Sequence, residues 1–254
     1  MRSVGVPWPS IKPERPIGRP TMRFRTSTNA EDQEDFLCAG CYDSHTGDPT
    51  NWDYNRPECK PTTNSGCSVL QAIRKTWSGV WYFRTFEERS YNSIDQKKIG
   101  MALLVHHNFP NETANGVAVT ANIFDSSGLE PAFYINVQNG GDAEVVAPPP
   151  GVFSDEILYF YSYDGMPITY LAHSNLIPEG KTVLTELQVR ALGTALNAIQ
   201  NRFSPAYGPL AGNNGFYALE VDLKFAPPED TTLPDQTPKL FIKQARNYHG
   251  RGAM

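Results

Sequence analysis

The sequence predicts a mixed α/β domain, and three observations carry that expectation. Short β-rich runs with a two-residue period recur along the chain. Two segments with helical period stand among them, and the C-terminal part reads as a long hairpin of two alternating strands. At 254 residues, with 40% apolar and 19% charged residues, the chain can bury a substantial core and is not disordered. A formal net charge of -5 with no basic block argues against a nucleic-acid binder or a membrane-surface binder. No apolar run approaches the ~18 residues of a membrane span.

The elements follow in order. Residues 1–21 are Pro-rich and lack an apolar stretch, so they read as an extended lead-in and as the cut edge of a longer protein. Phe24-Arg25-Thr26-Ser27-Thr28-Asn29-Ala30-Glu31-Asp32 reads as a polar loop. In it Arg25 offers a planar fork of donors to phosphate oxygens, and the small side chains let backbone N–H groups approach an anion. The same run also suits an ordinary N-cap loop. Segment 68–93 is helical in pattern, with Val69, Leu70, Ile73, Trp77, Val80 and Trp81 at helix spacing and most of its aromatic residues expected in the core.

Strands are expected at Met101–Val105, Gly116–Ile123, Phe133–Val137, Ile157–Tyr161 and Ile168–Ala172, separated by Asn-Gly and Gly-Gly steps and a Pro run. A second helix begins at Thr185, where Gln188 completes a capping box. Its stripe is Gln188, Ala191, Leu192, Ala195, Leu196 and Ile199, and Pro205 is expected to end it. In Tyr217–Phe225 the period puts Leu219, Val221, Leu223 and Phe225 on one face and Glu220, Asp222 and Lys224 on the other. Strict alternation along Lys239–Arg246 groups Leu240, Ile242, Gln244 and Arg246. Carboxylates, an amide and a guanidinium on paired strands are the ligand set that Mg-ATP needs; a solvated hairpin face is the bland alternative.

Cys38, Cys41, Cys59 and Cys67 follow C-x2-C-x17-C-x7-C, which lacks the second close pair of a zinc ribbon. Unlinked thiols are the expectation, with a zinc site or two disulfides as the other readings. His106 and His107 are adjacent on a strand and point to opposite faces, so they read as surface or satisfied histidines rather than a bidentate site. A carbohydrate-binding module is a further reading of Trp52, Tyr54, Trp77, Trp81 and Tyr82.

Three motifs carry a resemblance. The run from Arg25 to Asp32 resembles the Arg-Ser-Ser-x-x-Ala-Glu-Asp segment in the nucleotide-binding domain of phosphoenolpyruvate synthase, pyruvate phosphate dikinase, glucan water dikinase and their relatives. Cys38-Ala39-Gly40-Cys41-Tyr42-Asp43-Ser44 is similar to that family's Phe-Ala-Gly-Gln-Tyr-Asp-Ser stretch. Lys239-Leu240-Phe241-Ile242-Lys243-Gln244-Ala245-Arg246 resembles its closing Lys-Leu-Tyr-Ile-Leu-Gln-Ala-Arg strand.

The resemblance covers residues 22–247 and implies an ATP-grasp-like nucleotide-binding domain, N-terminally truncated, with a Cys-containing insertion at about 38–67 and a tail at 248–254. It implies ATP and Mg2+ as cofactors in a dikinase-type phosphotransferase, incomplete as this chain. Arg25 and Arg246 would contact phosphates, and Glu220, Gln244 and Asp222 would hold the metal. Leu103 and Val105 would line the adenine slot. The phosphohistidine and acceptor domains would be partners on a missing part of the protein or on another chain, with no nucleic acid and no membrane involved.

Departures from the pattern are Ala218, where the family often has aspartate, and Gly140-Gly141-Asp142-Ala143-Glu144, in place of its Gly-Leu-Gly-Glu turn. Nothing resembles the family's Gly-Gly-Lys segment or its Thr-His motif. Those departures leave a non-catalytic nucleotide-sensing or structural module as the alternative. With no signal peptide evident, a cytoplasmic location is expected, although clustered cysteines would suit a secreted form.

Overall fold

The computed structural model describes residues 21–31, 36, 38, 40–50, 59, 66–109, 111–125, 127–140, 145, 148–208, 217–228 and 234–248. The lead-in before Thr21, the tail after Tyr248, Asp32, Trp52, Tyr54, Asp142 and Glu144 lie outside them. The class is mixed α+β, and the chain divides into two compact units, Met1–Asn108 and Phe109–Met254.

The first unit is built on a four-stranded sheet. Its strands are β1 (Met22–Thr28), β2 (His45–Asp48), β3 (Cys67–Ser68) and β4 (Met101–His107), in the order β3-β2-β1-β4. β1 is antiparallel to both β2 and β4, while β2 and β3 run parallel. Helix α1 (Val69–Ser78) starts at Ser68, whose hydroxyl accepts from the Gln71 amide while the Gln71 side chain accepts from the Ser68 amide. That capping box satisfies two donors that a helix start leaves open. Its buried side packs Val69 and Ala72 on Phe24 and Cys67.

A 3-10 turn over Gly79–Trp81 then leads into α2 (Phe83–Tyr91). The helical segment expected over 68–93 is thus a pair of helices joined by that turn. The aromatic residues expected in the core are exposed instead: Trp77, Trp81, Phe83, Phe86 and Tyr91 all face outward. What fixes α2 is Arg89, fully buried, which donates from Nε to Gln96 Oε1 at 2.8 Å and from Nη1 to the Tyr42 hydroxyl at 2.9 Å. Its Nη2 donates to the Val80 carbonyl.

The second unit is a six-stranded antiparallel sheet, and its strands in chain order are β5 (Ala114–Val119), β6 (Phe133–Asn139), β7 (Asp155–Tyr159), β8 (Ile168–Ala172), β9 (Ala218–Ala226) and β10 (Lys239–Tyr248). Across the sheet they lie in the order β10-β9-β5-β6-β7-β8. Helix α3 (Glu186–Tyr207) covers one face, capped by Thr185 with Gln188 as expected. Leu219, Val221, Leu223 and Phe225 from β9 meet Val189, Leu192 and Leu196 from α3 in the main core.

The buried stripe of α3 is rotated from the expected one. Val189 and Gly193 are buried, whereas Ala191 is exposed. Pro205 sits inside the helix rather than ending it. The lost backbone donor falls in the last turn, where little helix remains to be broken. Gly193 is where α3 comes closest to the sheet, since a Cβ there would lie 2.1 Å from Cε1 of Tyr159.

Candidate functional site

The expected site residues fall in both units, three in the first and four in the second. In the first, Arg25 is on a strand and not in a loop. Its backbone belongs to the ladder in which Arg25 pairs with Leu104 and Thr26 with Leu103. The extended run through Thr28 is a correction to the loop reading: alternating Thr and Ser side chains suit a half-buried strand. Backbone N–H groups committed to β4 are not available to cradle an anion.

Directly opposed residues share a sheet face, so Arg25 lies with Leu104. Leu103 and Val105 lie on the other face with Thr26 and Phe24. Leu103 packs against the Phe24, Val69 and Ala72 cluster, while Val105 is 41% exposed. A ligand touching both Arg25 and the apolar pair would have to reach around the outer edge of β4.

The four residues in the second unit do come together. β9 presents Glu220, Asp222 and Lys224 on the face opposite α3, as its alternation predicts. On β10 the simple alternation fails. The register pairs Ile242 with Leu223 and then Gln244 with Asp222, leaving Lys243 as a β-bulge. One extra residue flips every later side chain to the other face. Leu240 and Ile242 therefore stay with the core-facing residues of β9, while Gln244 and Arg246 cross to stand opposite Asp222 and Glu220. The expected grouping of Leu240, Ile242, Gln244 and Arg246 is corrected by that single residue. Lys243 itself lies over the ring of Phe109, 4.3 Å from its centroid.

Arg246 donates from both Nε and Nη2 to Glu220 Oε1, the first at 3.0 Å, and its Nη2 is 4.0 Å from Asp222 Oδ1. Each side chain of the Arg246–Glu220 pair is more than two thirds buried. Lys224 pairs with Glu112, whose side chain is only 4% exposed and whose second carboxylate oxygen has no hydrogen-bond partner among the described residues.

Along the same face β5 places Val117 beside Asp222, and β6 places Asn136 beside Val117. Tyr134 and Glu156 complete the polar row on β6 and β7. Burial, reinforced by the Glu156 carboxylate, pushes the Tyr134 phenol up to about 12, so it stays protonated and acts as a donor to Glu156 rather than as a base. A small apolar cluster of Val119, Ala132, Tyr134, Leu158 and Ala218 adjoins this row. Tyr134, Asn136, Glu112 and Glu156 were not singled out by sequence. Only the pairing of β5 with β6 and β9, and of β6 with β7, brings them to the face that Glu220 and Arg246 share.

Chemically, this face offers hard oxygen donors from Glu220, Asp222 and Gln244 next to a guanidinium, which fits a magnesium-bound polyphosphate. The fit requires an exchange of partners. Glu220 now neutralises Arg246 and would have to release it for metal and phosphate to be held side by side.

The cysteines pair as Cys38–Cys41 and Cys59–Cys67, and none is free. This overturns the expectation of unlinked thiols, and it removes the thiolates that a zinc site would need. Among the described residues, no three or more His, Cys, Asp or Glu side chains are grouped to hold a metal. No helix among them is long and apolar enough to cross a membrane. No protein-family model matches the chain, and no curated protein matches it.

Proposed function

We propose that the chain is an ATP-grasp-like nucleotide-binding domain of the dikinase type, one that positions Mg-ATP for phosphoryl transfer to a histidine on a separate swivelling domain. The observation that carries this reading is the β10 bulge, which sets Gln244 and Arg246 opposite Asp222 and Glu220 on one sheet face. In this reading Glu220, Asp222 and Gln244 hold Mg2+, which neutralises the polyphosphate when bound. Arg246 grips phosphate oxygens. The chain's own residues bind, orient and neutralise, and none of them acts as nucleophile. Acceptor domains come from elsewhere in the protein or from another chain. Two disulfides favour an oxidising compartment over the expected cytoplasm.

One observation favours the alternative of a non-catalytic nucleotide-sensing or structural module. The Arg246 guanidinium is already neutralised by Glu220 and approached by Asp222. Calorimetric titration with Mg-ATP separates the readings from an empty fold. Wild type binds, and Arg246→Ala and Glu220→Ala each lose roughly 1–3 kcal/mol, the worth of charge-assisted contacts. Equal heats for all three proteins end the nucleotide reading. Transfer of the γ-phosphoryl group to an added phosphohistidine domain then distinguishes the dikinase from the sensor.

A further inference from the structure

We propose that the outer edge of β4 is where two copies of this chain meet, Met101–Val105 of one copy pairing antiparallel with the same residues of the other about a two-fold axis at Leu103. Two bonds at the ends of the β1–β4 ladder fix the direction of each backbone group. The Asn108 amide donates to the Thr21 carbonyl at 2.7 Å, and the Asn29 amide donates to the Gly100 carbonyl at 3.4 Å. The register between them is unbroken. Hydrogen-bonded positions alternate along an antiparallel pair, so Ala102 and Leu104 bond to β1 while Met101, Leu103 and Val105 turn their N–H and C=O groups outward. Among the described residues no strand lies beyond β4, and those three residues make no other backbone bond.

The other sheet edges among the described residues are all blunted against such pairing. β3 has only two residues. β8 has five, and its register is broken between Glu156 and Ile157 of its neighbour. β10 carries Lys239, Lys243 and Arg246 together with its bulge. Short strands, bulges and charges are the usual guards of an exposed edge. β4 has none of them: its seven residues hold no Lys, Arg, Asp, Glu or Pro and run without a bulge. Its Leu104 is 54% exposed and its Val105 41%.

A second copy is the occupant because these five residues are their own complement. The two-fold axis sets Leu103 opposite itself, Met101 opposite Val105 and Ala102 opposite Leu104, so every pair is apolar and the small side chain meets the large one. The pairs built on Met101, Leu103 and Val105 each exchange two backbone bonds. No charge on β4 opposes the approach of another chain of net charge -5. Arg25 lies one strand inward, which keeps the two copies of it three strand spacings apart, about 14 Å. A foreign peptide is selected by charges or side-chain pockets, and this edge has no charge with which to choose one. Association also stops at two copies. The joined sheet of eight strands ends on both sides in the two-residue β3. The inference stands apart from the nucleotide reading, since it uses backbone groups of β4 alone.

The test is sedimentation of the full, oxidised chain at about 0.5 mM and on dilution until it is monomeric, with amide exchange read residue by residue. A dimer is expected at the high concentration. In the monomer the amides of Met101, Leu103 and Val105 exchange about tenfold faster or more, while those of Ala102 and Leu104 stay protected throughout. Val105→Pro removes an outward donor and no bond to β1, and Ala102→Lys puts a charge at an exposed position of the edge. Each raises the dissociation constant about tenfold or more. Thr169→Lys, on the edge strand β8, leaves it unchanged. A chain that is still monomeric at about 0.5 mM overturns the proposal, and so does a dimer that Ala102→Lys and Val105→Pro leave intact. Outward amides that remain protected in the monomer overturn it as well, because the edge is then covered within one chain.

Discussion

Arg246 and Glu220 stand directly opposite each other across the β9–β10 ladder, and they do so only because Lys243 is bulged out of it. The guanidinium gives two donors to one carboxylate oxygen. A pair of this kind, still partly open to solvent, contributes about 1 kcal/mol to the fold. The arrangement therefore matters more for what it can release than for stability. On the proposed nucleotide reading, Glu220 holds Arg246 as a phosphate would, and a polyphosphate has to compete with it.

That competition predicts opposite signs for one substitution. Without divalent metal, Glu220→Gln frees Arg246 and tightens ATP binding by about threefold to tenfold. With saturating Mg2+ the same change removes the proposed metal ligand and is expected to weaken binding about tenfold. Calorimetry in chelator and in magnesium reads both. A variant that matches wild type in each buffer shows that the pair has no part in nucleotide binding.

His45 on β2 gives the first unit an acid-sensitive point. The ring is 1% exposed, and neither nitrogen has a hydrogen-bond partner among the described residues. Burial, helped by the Lys75 and Arg23 charges and opposed by Asp43, lowers its pKa to about 4. The unfolded chain takes up the proton near 6.5 and the folded chain only near 4, so stability is complete above 6.5 and falls as pH drops through that window. The full loss is about 3 kcal/mol. His45→Leu abolishes this slope in urea unfolding at a series of pH values and costs little at neutral pH, since no hydrogen bond is lost. An unchanged slope in the variant assigns the acid sensitivity to other groups.

Much of the architecture is legible in residue order, because periodicity and caps are local properties. The alternation of β9, the Thr185–Gln188 cap and the span of β8 can be read directly. What is hidden depends on geometry between distant parts of the chain. Lys243 has nothing in its chemistry to mark it as a bulge, yet it decides the face on which Gln244 and Arg246 stand. Nothing in the local sequence marks Arg89 for burial, but Tyr42, Val80 and Gln96 supply the partners that let it be buried. Trp77 and Trp81 follow helix spacing, yet α1 buries Val69, Ala72 and Thr76 and leaves Trp77 outward, while Trp81 falls in the 3-10 turn that ends the helix. Pairing of four cysteines depends on the path of the chain between them, which spacing alone leaves open.

The Cys59–Cys67 bridge ties a segment to the core of the first unit, where Cys67 is fully buried beside Phe24 and Ala72. Closing a loop of this length contributes about 2–3 kcal/mol in the chain-entropy picture. Thiol titration of the denatured, unreduced protein is expected to find no free thiol. Reduction is expected to lower the melting temperature and to raise amide exchange in β1 and α1. Four titratable thiols before reduction would contradict the pairing.

Gly193 sets two effects of opposite sign against each other. In a helix interior, Gly→Ala ordinarily gains about 1 kcal/mol from propensity. Here the added Cβ would lie 2.1 Å from Cε1 and 2.6 Å from Cδ1 of Tyr159, a buried ring whose hydroxyl reaches Met166. Overpacking of that kind costs about 1–3 kcal/mol or more, so Gly193→Ala is expected to destabilise by about 1–2 kcal/mol net. Replacing Tyr159 with leucine removes the obstructing ring. In that background Gly193→Ala becomes neutral or stabilising, because only the propensity term remains. A double-mutant cycle by urea unfolding gives the coupling directly. If Gly193→Ala costs the same in both backgrounds, Tyr159 is not what limits the approach of α3 to the sheet.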